Sequence, residues 1–293
     1  MRLNLYFAPH TEEAFTENLG RLFSTAKILV FEKSFTNGPL EDFSFECKLN
    51  SLSTGDLTPR SLMMRVRDRF SFVEYTERLC GMIYRSQKVV CVERSPTPVS
   101  DMKELLLISL TPCSGLDDLL KRYETGINRL ARFETGRDEA FASQLRELCA
   151  DNRDTEILAI RGPSHQRGLE KFLRDAGEPF SSFLSQEPMT IDMQNELVSR
   201  LEVGEAPNRK ILMMALISQC ELWKDGDFRK LRRARYVEVA RKLESMSEKE
   251  MEDYLKKQFD EFFGRTVQTE VPGVEAWYGP SAGDSFEERK SST

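Results

Sequence analysis

At 293 residues, with 40% hydrophobic and 31% charged side chains, the chain has an ordinary globular composition, long enough for one large domain and an accessory part. A formal net charge of −6 and a pI near 5.3 argue against a nucleic-acid-binding role, whose footprint is a basic domain. No run reaches the about 18 apolar residues that span a bilayer; "ILMMALISQCELW" (211–223) reads as a buried helix packed on the sheet or on a second subunit.

Residues 2–8 form the first strand candidate, followed by an amphipathic helix over 12–25 and a β-branched and aromatic strand over 26–34. Residues 35–58, rich in Ser, Thr, Gly and Asp, read as loop with room for a short edge strand, and 59–86 has helical apolar spacing. A strand follows at 87–95. Residues 101–134 read as helix broken near Pro112 and Gly115, and 136–151 as a separate helix. Then come a strand at 156–161, a turn carrying His165, a helix ending at Gly177 and a last strand starting with Phe180 and Phe183. Continuous apolar strands alternating with helices predict an α/β fold with a mostly parallel central sheet flanked by helices. From residue 190 the pattern is helical only: 190–203, 208–224, 228–245 and 247–263, the last opened by a Ser247–Glu250 capping box. The expected organisation is an α/β domain over 1–189, a C-terminal all-helical region over 190–278 and a disordered tail over 279–293.

The six cysteines show no CxxC spacing, which points to free thiols rather than structural zinc. With no apolar signal-peptide centre near the N-terminus, a cytoplasmic location is expected. Oligomeric state is left open.

Only two histidines occur, His10 and His165, and both fall where a strand hands over to a helix. Open α/β sheets carry their sites at such strand ends. Glu32 and Glu93 end two further strands, although Glu93 reads more simply as a solvated loop residue. Two imidazoles with one or two carboxylates suit a divalent metal. They equally suit metal-free hydrolysis, with a neutral imidazole as base and a carboxylate orienting it. "RGPSHQRG" offers a further possibility, a phosphate held at the helix start between Arg161 and Arg167.

"LYFAPHTEEAFTENLGRLFSTAKILVFEKSF" and "GRDEAFASQLRELCADNRDTEILAIRGPSHQRGLEKFLRDAG" resemble the two ends of the TraB/GumN/Tiki superfamily domain. Erythromycin esterases and the ChaN-like proteins are more distantly similar. The resemblance covers residues 3–35 and 134–178. It implies that His10, Glu32, Arg137 and His165 are site residues, with His10, Glu32 and His165 as ligands of a divalent metal (Mn, Co or Zn). Arg137 would then face an oxyanion or a substrate carboxylate, and Gly162 and Asp138 would contribute to substrate binding; Glu93 joins them as a substrate-binding candidate only through its strand-end position. The first Gly-x-x-His motif is broken, since Phe7 stands where the family has glycine, whereas Gly162 and His165 preserve the second. The implied activity is hydrolysis, either metal-dependent and peptidase-like on a peptide or metal-free and esterase-like on a small molecule. A binding or regulatory protein that has lost turnover is the alternative.

Overall fold

The strand runs begin with register. In the computed structural model, which describes residues 2–8, 14–32, 39–56, 58–66, 73–92, 114–185, 193–224 and 233–258, they form one sheet. Its strands are β1 (Arg2–Phe7), β2 (Ile28–Glu32), β3 (Lys88–Val92), β4 (Glu156–Arg161) and β5 (Phe180–Leu184), in spatial order β3-β2-β4-β1-β5. Every pair is parallel. The fold is therefore α/β with a parallel sheet, and both faces are covered, which explains the continuous apolar strands.

Alternation along each strand divides the core in two. Tyr6, Leu29, Phe31, Leu158 and Ile160 face α1 (Glu17–Thr25), α2 (Pro39–Thr54), α3 (Pro59–Val66) and α4 (Val73–Gly81). Leu5, Phe7, Ile28, Val30, Ile157 and Ala159 face the second half of α5 (Leu116–Asp151) and α6 (Gln166–Asp175). Right-handed crossovers require this arrangement: β1→β2 and β2→β3 run one way across the sheet, and β3→β4 and β4→β5 the other.

The all-helical C-terminal region consists of α7 (Met193–Glu202), α8 (Arg209–Lys224), α9 (Arg233–Ser245) and α10 (Glu248–Gln258). Its core recruits the first half of α5, through Leu119, Tyr123, Ile127 and Leu130. The apolar helix α8 lies at its centre, with Met213, Ala215, Leu216 and Ile217 all buried, rather than on the sheet. At 36 residues and 1.5 Å rise per residue, α5 is about 54 Å long. Its residues 134–138 thus sit where one core hands over to the other.

Several local expectations hold in detail. Ser247 Oγ accepts from the Glu250 amide while Glu250 Oε2 accepts from the Ser247 amide at 2.7 Å, completing the capping box. Helix α6 ends in a Schellman motif, with Gly177 at φ +70° and the Glu178 amide donating to the Leu173 carbonyl at 2.9 Å.

Two expectations are corrected. Residues 39–54 are helix rather than loop, because α2 is held by tertiary contacts: Leu49 and Leu52 are buried, and Asn50 pairs with both backbone groups of Val89 at 2.9 Å. Asn50 thereby covers the outer edge of β3, as a neighbouring strand would. The helix expected to begin at 136 is instead part of α5, which runs unbroken through Gly136 because apolar surface on both sides outweighs the local glycine cost. Of the break expected near Pro112 and Gly115, the structure shows α5 starting at Leu116 directly after Gly115; Pro112 and the tail over 279–293 lie outside the described residues. Among the described residues no helix is long and apolar enough to cross a membrane.

Candidate functional site

Strand β2 sends its chain outward to β3, and its neighbour β4 sends its chain the opposite way to β5. This divergence makes the C-terminal ends of β2 and β4 the switch point of the sheet, the usual location of a site in an open α/β fold. Glu32 is the last residue of β2 and Arg161 the last of β4. Both share the α5 face with Val30 and Ala159 two residues earlier.

The turn after β4 is set by local chemistry. Gly162 caps a 3₁₀ turn over Pro163–His165, with Pro163 at a first-turn position where its missing N–H costs nothing. A Cβ on Gly162 would sit 3.6 Å from His165 Cδ2, so the glycine packs against the ring. The turn folds His165 back towards α5, and only 7% of the residue remains exposed.

His165 Nδ1 lies 2.9 Å from Asp138 Oδ1 on α5. Arg161 Nη2 lies 2.9 Å from the same oxygen and 3.3 Å from Nδ1. A carboxylate oxygen accepts, so two donors converge on Oδ1, and the ring proton is on Nδ1. In a neutral ring this tautomer leaves the lone pair on Nε2. Behind this pair, the Arg161 guanidinium stacks 4.3 Å from the centre of the Phe141 ring and reaches Glu32 Oε2 at 3.6 Å. Burial first and then the charge of Glu32 raise the pKa of Tyr75, on α4, which marks this hydroxyl as lying within electrostatic range of Glu32. Glu134 Oε2 stands 3.8 Å from His165 Nδ1 and accepts from Arg137 Nη1 at 2.8 Å.

Glu202, at the end of α7, completes the cluster from the helical region. One oxygen each from Asp138 and Glu202 and a ring nitrogen of His165 lie within 4.8 Å of one another. Gly168 on α6 makes room for them: a Cβ there would lie 2.2 Å from Asp138 Oδ2 and 3.1 Å from Glu202 Oε2. Burial, then the charges of Asp138 and Glu134, push the Glu202 carboxyl up to about 9, with Arg161 and Arg137 offsetting only part of this.

The expected site residues are thus distributed unevenly. Glu32, Arg137, Asp138, Gly162 and His165 come together at one sheet edge, whereas His10 and Glu93 lie outside the described residues. Glu32 faces Arg161, and the carboxylates that accompany His165 are Asp138 and Glu202. Arg137 is engaged with Glu134. The phosphate reading of "RGPSHQRG" is corrected, because Arg161 turns inward to Asp138 and Glu32 while Arg167 pairs with Glu196 at 3.0 Å. Two contributors escaped the sequence reading: Glu134 lies where a helix break was expected, and Glu202 arrives from a region with no motif. Arg161 entered it only as a phosphate-holding cation. Gly168 carried a signal, since a glycine in the first turns of an otherwise regular helix usually has a packing reason.

No protein-family model, no curated protein and no solved structure matches the chain.

Proposed function

We propose that the chain is a hydrolase that activates water with the His165–Asp138 pair, on a peptide or small ester substrate. The observation that carries this is the 2.9 Å contact between His165 Nδ1 and Asp138 Oδ1 at the β2/β4 switch point. Nδ1–H is committed to Asp138, so Nε2 is the basic nitrogen. Asp138 holds the tautomer and stabilises the imidazolium that forms when water gives up its proton, an arrangement general in acyl-transfer enzymes. Arg161 holds Asp138 in place, and its burial against Phe141 keeps the guanidinium from swinging away. Arg137, beside Glu134, is the cation nearest in sequence to Asp138 and a candidate to face a developing oxyanion.

The resemblance to the TraB/GumN/Tiki superfamily supports the same reaction class, through Glu32, Arg137, Gly162 and His165. Free thiols at Cys47, Cys80, Cys91 and Cys149 fit a reducing compartment, in keeping with a cytoplasmic enzyme.

The test is turnover of nitrophenyl esters and aminoacyl nitroanilides by the purified chain, beside His165→Gln and Asp138→Asn variants whose fold is checked by circular dichroism. Loss of the base should lower kcat by about 100-fold or more. Equal rates in the wild type and in folded His165→Gln would end this reading. A wild-type chain that binds but does not turn over these compounds would favour the binding-protein alternative.

A further inference from the structure

We infer that Asp138, Glu202 and His165 form a binding site for one divalent transition-metal ion, built across the seam between the sheet and the helical region. The ligand set differs from the His10, Glu32 and His165 trio that the sequence resemblance implies. It shares the Asp138–His165 pair with the hydrolase reading but does not depend on turnover.

The argument begins with unanswered acceptors. Asp138 is fully buried, and although its Oδ1 is doubly bonded, its Oδ2 accepts no hydrogen bond. Both carboxylate oxygens of Glu202 are likewise shut off from solvent and accept no hydrogen bond. Buried acceptors with no donor are costly, and native proteins satisfy them with protein, water or an ion. Here these oxygens lie beside an imidazole, and one oxygen of each acid and a ring nitrogen fall within 4.8 Å of one another, which a small inward shift brings to the roughly 4.2 Å span of two metal–ligand bonds.

Gly168 provides the second observation. It is the residue of α6 that Asp138 Oδ2 and Glu202 Oε2 approach, and any side chain would collide with the first and crowd the second. The absence of a side chain at Gly168 therefore lets the two carboxylates close on one point of α6. The donor chemistry then sets the ion. Two carboxylates with one imidazole suit Mn²⁺, Fe²⁺, Co²⁺ or Zn²⁺ better than the all-oxygen shell preferred by Ca²⁺. The ring atom that faces these carboxylates is Nδ1, 2.9 Å from Asp138 Oδ1, so an ion bound here takes the place of the proton between them. Because Glu202 comes from α7, an ion bound here would tie the helical region to the sheet edge.

The experiment titrates Mn²⁺ into chelator-treated full-length chain at pH 8, reading free Mn²⁺ by electron paramagnetic resonance and unfolding temperature in parallel. The expected result is one ion per chain, with a rise in unfolding temperature. Glu202→Gln should fold, since it removes a buried acid, and should bind Mn²⁺ about 100-fold more weakly, as loss of a direct ligand exceeds the 10–100-fold typical of outer-shell partners. Asp138→Asn should behave similarly. No stoichiometric binding by the wild type, with Mn²⁺, Co²⁺ or Zn²⁺, overturns the inference. So does binding that Glu202→Gln leaves unchanged, which would place the ion elsewhere. Turnover lost in His165→Gln with no ion bound by the wild type would retain the hydrolase and remove only the metal.

Discussion

Replacing Gly168 by alanine tests the packing of the site directly. The new Cβ would lie 2.2 Å from Asp138 Oδ2, against ordinary contact from 3.4 Å, so the carboxylate has to retreat by about 1.2 Å (3.4 − 2.2). A flexible acid would swing aside at little cost. Asp138 cannot do so freely, because Arg161 Nη2 and His165 Nδ1 both hold its other oxygen at 2.9 Å and the residue is fully buried. Overpacking together with a weakened charged hydrogen bond costs about 2–4 kcal/mol. The better helix propensity of alanine returns about 1 kcal/mol. The net loss is roughly 1–3 kcal/mol, read as a lower urea midpoint at unchanged slope. Gly20→Ala is the matched control: it lies inside α1 with nothing within 4 Å of the added Cβ. It should stabilise the protein by roughly 0.5–1 kcal/mol. If both variants raise the midpoint alike, the carboxylate is not pinned and the geometry assigned to Asp138 is wrong.

The raised pKa of Glu202 makes a pH prediction for chelator-treated protein. The folded carboxyl titrates at about 9 and the unfolded one near 4.5, so between these values the folded state holds a proton that unfolding releases. Stability therefore falls as pH rises through that window, by up to about 1.4 kcal/mol per unit. Glu202→Gln should flatten the decline, leaving the variant more stable than the wild type at pH 8. Parallel unfolding temperatures from pH 5 to 8 would contradict this. At the sheet edge, Asn50→Ala strips both partners from the Val89 backbone and should cost about 1–3 kcal/mol. The same change should speed hydrogen exchange at the Val89 amide, and an unchanged exchange rate would show that α2 does not protect this edge.

Much of the scaffold could be read from local pattern. Continuous apolar runs at 2–7, 28–32, 88–92 and 156–161 mark buried parallel strands, because a strand covered on both faces has no polar side to alternate. Gly177 and the Ser247–Glu250 pair announce helix ends through backbone chemistry that acts within a few residues. The strand-end positions of His165 and Glu32 were legible, because an apolar run that stops at a polar residue marks where a buried strand leaves the sheet. What surrounds them was not legible. Arg161 faces α5 only because β4 alternates about a sheet whose strand order no local signal specifies. Asp138 meets it because α5 runs unbroken past Gly136 between two cores, each burying one half of the helix. Glu202 reaches the same point from 37 residues beyond His165, carried by the docking of α7. Periodicity and caps act along the chain over single turns, so sequence alone determined the elements and the strand-end position of His165. The partners of that histidine were decided by long-range packing, which assembles the charge cluster from four separate elements.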